Sequence, residues 1–170
     1  MEKKNLLAVL ALMLALLILV FAAKHAGQSE EDPNLTITAL SVGKADALVL
    51  KQAGHTVLID TGEKDDGDKI VRFLKNQGIH SADLLVITHF DKDHVGGAAK
   101  VLEHMEVNAV FMPDYEGTRP EYDSFLEALA GRDGVQRLTG TTEQTIGEMK
   151  IRVQAAEQAD TFADENDLSL

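Results

Sequence analysis

Leu84-Leu85-Val86-Ile87-Thr88-His89-Phe90-Asp91-Lys92-Asp93-His94-Val95-Gly96-Gly97 is the stretch on which the fold turns. A short apolar run, the pattern of a buried strand, ends in two histidines and two aspartates. Two glycines follow, and then Ala98, Val101, Leu102 and Met105 mark one face of an amphipathic helix. The cluster thus falls at the carboxyl end of a strand and the start of a helix, where open α/β sheets bind ligands. In extended backbone alternate side chains share a face, so His89 and Asp91 can reach one point. Once the backbone turns, Asp93 and His94 can reach a second point nearby. Imidazole suits zinc, and carboxylate widens the choice toward manganese. A polar, solvated loop is the bland reading. Four ligand-type residues among the six from His89 to His94, directly after an apolar strand, weigh against it.

Outward from this stretch, strands and helices alternate, which predicts an α/β domain. Leu35, Ile37 and Ala39 alternate with their neighbours as a strand, and Ser41-Val42-Gly43-Lys44-Ala45-Asp46 forms a turn. Two strands over Ala47–Leu50 and Thr56–Ile59 flank a hairpin at Ala53-Gly54-His55, and the second ends in Asp60-Thr61-Gly62. Asp68 is expected to cap a helix carrying Ile70, Val71, Phe73 and Leu74, closed by Gly78. Beyond the central stretch, Asn108–Met112 reads as a strand stopped by Pro113. Pro120 opens a helix with Tyr122, Phe125, Leu126 and Leu129 on its apolar stripe, ended by Gly131. Gln136–Leu138 and the alternation of Met149, Ile151 and Val153 give two more strands. An acidic loop over Asp160–Asp167 leads to Leu168-Ser169-Leu170, read as the opening of a strand.

At the other end, Lys3 and Lys4 precede an unbroken apolar run from Leu6 to Ala23. As a helix this run is about 27 Å long, just short of a hydrocarbon core of roughly 30 Å. It lacks the polar face of a core helix. An uncleaved membrane anchor over residues 1–24 is therefore expected, with a cleaved signal ending near Val20-Phe21-Ala22 as the alternative. The basic start places the rest of the chain outside the cytoplasm, membrane-anchored or secreted if the leader is cleaved. Residues 25–34 form a polar linker, and the globular domain occupies residues 35–170. The net charge is −12, and all but three of the sixteen basic residues and all but one of the twenty-eight acids follow residue 24. Such a surface repels the phosphates of long nucleic acid and argues against it as a partner. There is no cysteine, so any metal must be held by His and carboxylate.

The segment Thr88-His89-Phe90-Asp91-Lys92-Asp93-His94-Val95-Gly96-Gly97 resembles the H-x-H-x-D-H signature of the metallo-β-lactamase superfamily, in the variant whose second His is Asp. That variant is typical of the hydrolase domain of ComEC-type competence proteins and their stand-alone secreted relatives. Val42-Gly43-Lys44-Ala45-Asp46 resembles the V-G-Q-G-D turn of that group, departing at Lys44 and Ala45. Leu58-Ile59-Asp60-Thr61-Gly62 resembles its D-T-G strand end, and Asn166-Asp167-Leu168-Ser169-Leu170 its N-x-x-S-L strand. The resemblance implies an αβ/βα sandwich, of which this chain supplies the first half and the start of the second.

It also implies two divalent ions, zinc or manganese. His89 and Asp91 would serve the first, and Asp93 and His94 the second. Asp93 would also orient the attacking water or accept its proton. Asp60 would support the site from beneath, or be a turn residue only, and Asp46 would line its mouth, or likewise only turn the chain. The reaction implied is metal-dependent hydrolysis of a phosphodiester or other ester-type substrate, small-molecule or nucleotide. The family's remaining ligands follow position 94, and His25, His55, His80 and His104 stand in no matching context. The chain is therefore expected to be C-terminally truncated, leaving an apolar sheet face and an edge strand uncovered. The alternative is a catalytically incomplete metal-binding or interaction fragment that needs its missing half or a partner chain.

Overall fold

The computed structural model describes residues 12–20, 32–156 and 169–170. The chain divides into two compact units, 1–32 and 33–170. In the first, residues 12–20 are helical (α1), with exposed leucines and an exposed isoleucine. Among the described residues no helix is long and apolar enough to cross a membrane. Much of the expected anchor, most of the linker, and the acidic loop with Asn166-Asp167-Leu168 lie outside the described residues.

The second unit is built on a six-stranded sheet. Its order is β1 (Thr36–Ala39), β2 (Leu48–Gln52), β3 (His55–Ile59), β5 (Leu84–Val86), β7 (Val110–Pro113), β8 (Val135–Leu138). The first three strands are antiparallel neighbours, and β3, β5, β7 and β8 run parallel. Ala53 and Gly54 join β2 to β3 with φ of 46° and 80°, the two left-handed residues of a type I′ turn. Parallel neighbours need crossovers. These are α2 (Asp66–Asn76), the pair α3 (Lys92–Val95) and α4 (Ala98–His104), and α5 (Pro120–Leu129). Two short strands, β4 (Ser81–Ala82) and β6 (Glu106–Val107), pair beside the sheet.

Successive strand residues face opposite sides, so the sheet has two cores. Leu58, Leu85, Val110 and Met112 pack under the helices with Ile70, Leu74, Val101, Leu102 and Phe125. Val57, Leu84, Val86, Phe111 and Leu138 face the other way. There they meet Ile146, Met149 and Val153 of an antiparallel hairpin, β9 (Thr141–Ile146) and β10 (Met149–Gln154). The sheet face expected to lie bare is thus covered along much of its width, while Leu35 and Ile37 at edge strand β1 are exposed.

Several boundaries differ from the sequence expectation. Helix α2 begins at Asp66, not after a cap at Asp68. The buried Asp66 carboxylate accepts the Glu63 N–H at 3.0 Å and Lys69 Nζ at 2.6 Å, which ties the loop to the first turn. The helix closes at Gly78 as expected. Ile79 N–H donates to Leu74 O and Gly78 N–H to Lys75 O, the Schellman pattern. The hairpin partner β9 was not foreseen. Its Thr and Gln residues give little apolar contrast, and the overlooked signal was Gly147-Glu148. Gly147 has φ 57°, and Gly in first place suits a type II′ hairpin turn.

Candidate metal centre

The central stretch folds as a strand that leaves the sheet at Val86, a loop, and the short helix α3. Asp60 leaves the adjacent strand β3 at the same level, because Asp60 N–H continues the ladder to Val86 O at 2.9 Å. Asp60 then takes φ 57°, a left-handed conformation that Asp tolerates better than most residues. This turn aims its carboxylate, 4% exposed, at the loop after β5. Asp60 Oδ1 accepts the Thr88 N–H at 2.8 Å, and Oδ2 accepts the Thr88 hydroxyl at 2.7 Å and His94 Nδ1 at 2.9 Å. Asp60 is both a turn residue and the support of the cluster. Thr61 adds a second tie, with its N–H and hydroxyl both donating to His94 O at 2.8 Å.

These bonds set the tautomers. The single proton of the Thr88 hydroxyl goes to the Asp60 carboxylate, so at 3.0 Å His89 Nδ1 must donate to Thr88 Oγ1. His89 Nε2 is then a bare lone pair, and among the described residues it is buried with no hydrogen-bond partner. Likewise His94 donates through Nδ1 to Asp60 and presents Nε2 outward. The two rings lie 3.7 Å apart between centroids, tilted by 46°. Burial, helped by neighbouring His94, pushes the His89 pKa below its ordinary value and favours the neutral ring. For His94 burial acts downward too. The hydrogen bond to Asp60 and the charges of Asp60, Asp93 and Asp46 outweigh it and raise the value.

Around this pair stand the carboxylates. Asp91 Oδ2 is 3.9 Å from His89 Nε2, and Asp46 Oδ2 is 3.7 Å from His94 Nε2. Asp93 is half-buried on α3, and its charge acts on both histidines. Its carbonyl accepts the Asp46 N–H at 3.2 Å, which draws the 41–46 turn to the site. Thus His89, Asp91, Asp93, His94, Asp60 and Asp46 all meet at one sheet end. Among the described residues, no group of three or more of these ligand types converges as a metal cage. The donor set nonetheless suits a divalent ion. A buried Nε2 lone pair without a donor costs desolvation energy that coordination would recover, and a carboxylate on the far ring nitrogen, as Asp60 stands to His94, is the usual second partner of a metal-bound imidazole.

Gly96 and Gly97 stand where two backbone segments touch. A Cβ on Gly96 would stand 2.2 Å from Lys92 O and 2.7 Å from Lys64 N. On Gly97 it would stand 2.3 Å from Thr61 O. The two glycines let α3 and α4 pack directly on the 61–67 backbone that carries the Asp60 turn. The other described histidines stay apart from the cluster. His55 starts β3 and pairs with Asp83 at 3.3 Å, His80 is exposed, and His104 lies exposed on α4. His25 is outside the described residues.

Three residues escaped the sequence reading. Thr88 was visible only as a residue beside His89, since its role depends on Asp60, 28 positions away. Arg119 places Nε 4.0 Å from Asp91 Oδ1, and Tyr115 bonds the ligand loop. Neither has a local signal, because the β7–α5 loop reaches the site only through tertiary packing.

Residues 40–153 match the family model of the metallo-beta-lactamase superfamily. The chain is 31% identical over 118 residues to ComE operon protein 3 of Bacillus subtilis (strain 168), covering 58% of this chain and 15% of that protein. It is 29% identical over 106 residues to Recombination protein 2 of Haemophilus influenzae, covering 59% of this chain and 13% of that protein. Among solved structures, the metallo-beta-lactamase SMB-1 bound to 2-mercaptoethanesulfonate aligns with a TM-score of 0.55 at 13% identity. That alignment covers 75% of this chain and 54% of SMB-1. The chain therefore spans a small part of its curated relatives and about half of the solved fold.

Proposed function

The chain belongs to the metallo-beta-lactamase superfamily, and on that premise we propose that it acts in metal-dependent hydrolysis at the His89–His94 cluster. The observation that carries this reading is the buried Nε2 of His89, without a hydrogen-bond partner among the described residues and set 3.9 Å from the Asp91 carboxylate. His89 and Asp91 are the residues to hold one zinc or manganese ion, and Asp93 and His94 a second. When bound, such ions supply Lewis acidity, which lowers the pKa of water and polarises the scissile group. The protein's own groups do the rest. Thr88 and Asp60 fix the ring of His89 and of His94 with each Nε2 free. Asp93 takes the proton of the attacking water at its carboxylate. Asp46 lines the mouth.

The proposed substrate is a phosphodiester, as a small molecule or nucleotide, or another ester. Arg119 beside Asp91 supports an anionic group, because it sets a cation at the rim of an otherwise acidic protein. That same acidity disfavours long nucleic acid. With zinc or manganese supplied, the chain is expected to hydrolyse bis(4-nitrophenyl) phosphate, and Asp93→Ala to lose at least about 100-fold of the rate, the scale of general-base catalysis. Turnover equal in Asp93→Ala and the parent would contradict the assignment. We also propose that the apolar run at residues 6–23 tethers the domain outside the cytoplasm, or directs its secretion if cleaved. Retention in the membrane pellet after carbonate washing supports the tether, and full-length protein free in the medium would refute it.

A further inference from the structure

Between the two proposed ligands of the first ion, His89 and Asp91, stands Phe90. Its ring is fully buried and packs against Tyr122 at 4.5 Å and Tyr115 at 4.8 Å between centroids. Its backbone N–H donates to the Tyr115 hydroxyl at 2.9 Å. Tyr115 comes from the loop between β7 and α5, a different crossover from the one that carries the ligands. That loop is itself fastened. Arg137 on β8 donates through Nη1 to Tyr115 O at 2.9 Å and through Nη2 to the Tyr122 hydroxyl at 2.8 Å. The Tyr122 hydroxyl donates to Glu116 Oε2 at 2.6 Å. Gly117 permits the fit, because a Cβ there would stand 2.7 Å from Tyr122 Cγ and 2.8 Å from Phe90 Cβ.

The bond to Phe90 N–H holds the His89–Phe90 peptide plane. That plane and the buried ring together set the backbone angles at Phe90, and these angles set the relation between the His89 and Asp91 side chains. We propose that Tyr115 is a positioning residue that holds His89 and Asp91 in ligand geometry by accepting the Phe90 N–H. The inference rests on the reading of His89 and Asp91 as metal ligands. Tyr115 touches neither ion nor substrate in this scheme. It acts through the backbone of the ligand loop, with Arg137 as the strut that keeps the Tyr115 loop in place.

The test uses the full chain, the parent and Tyr115→Phe, which keeps the ring and removes the hydroxyl. Two quantities are read: hydrogen exchange of the Phe90 amide in the metal-free protein, and zinc affinity by calorimetry. Tyr115→Phe is expected to exchange the Phe90 amide at least about tenfold faster and to bind zinc about tenfold more weakly, the lower end of what partners behind metal ligands contribute. Val153→Ala, in the hairpin core on the opposite sheet face, loses stability without touching this loop and is expected to keep parental zinc affinity. Parental zinc affinity in Tyr115→Phe overturns the proposal, whatever the amide does. An equal loss in Val153→Ala also overturns it, because the effect would then be one of global stability. If His89→Ala binds zinc as the parent does, the ligand reading itself fails. That failure is distinct, since the Phe90 amide would still answer to Tyr115→Phe.

Discussion

A single carboxylate organises the proposed centre. Asp60 spends three acceptor contacts on Thr88 and His94, and it does so from a left-handed backbone conformation. The Asp60→Asn variant keeps the conformation accessible, since Asn also tolerates positive φ, but removes the charge. The upward pull on His94 comes chiefly from Asp60, so in metal-free protein the His94 pKa is expected to fall relative to the parent. An NMR titration of the ring reads this directly, and an unmoved His94 would contradict the role given to Asp60. Loss of charge-assisted hydrogen bonds is also expected to lower stability by about 1–3 kcal/mol. At this scale the sequence was informative about residue types and order. His89, Asp91, Asp93 and His94 were legible because one strand end delivers them all. The Asp60 choice between turn and support was open because its partners lie 28 and 34 positions away. Thr88, Tyr115 and Arg119 were illegible for the same reason: each matters through a contact that no local pattern encodes.

Elements meet at the site through backbone packing at the glycine pair. Gly97→Ala drives a Cβ to 2.3 Å from the Thr61 carbonyl, an atom fixed by the Asp60-Thr61-Gly62 turn. The expected cost is at least about 2 kcal/mol, within the range for overpacking, with weakened metal uptake as the turn shifts. Gly140→Ala meets nothing within 4 Å and is expected to be near neutral. Urea denaturation of the two variants gives the comparison, and equal midpoints would contradict the packing role. The element pattern itself was largely readable. Periodicity located the strands around the helices, and Gly78 and Pro120 marked their helix ends. What failed was local contrast. Strand β9 is polar at every position before Ile146, so its alternation of exposed and half-buried residues carries no apolar contrast in the sequence. The start of α2 moved because Asp66, not Asp68, is the acid that the 63–69 turn buries.

For the molecule as a whole, net charge of −12 and a buried tyrosine set an alkaline limit. Burial raises the Tyr122 pKa above its ordinary value. The bond to Glu116 adds to this, and Arg137 opposes it. The folded state therefore holds the Tyr122 proton more tightly than the unfolded chain does. Its contribution is complete below about pH 10, the ordinary tyrosine value, and is lost as pH rises through the folded value. The denaturation midpoint is expected to fall more steeply above pH 10 in the parent than in Tyr122→Phe. Parallel curves would contradict that. The same molecule-wide view explains why its sheet is not bare: the β9–β10 hairpin supplies Ile146, Met149 and Val153 to a face that the strands alone would leave open. His89, Asp91, Asp93 and His94 are proposed here as a divalent metal centre. Elemental analysis of protein equilibrated with zinc and freed of excess ion tests it most directly. Up to two bound equivalents are expected in the parent, falling toward one in Asp93→Ala and likewise in His94→Ala. Zinc content unchanged by both substitutions would contradict it.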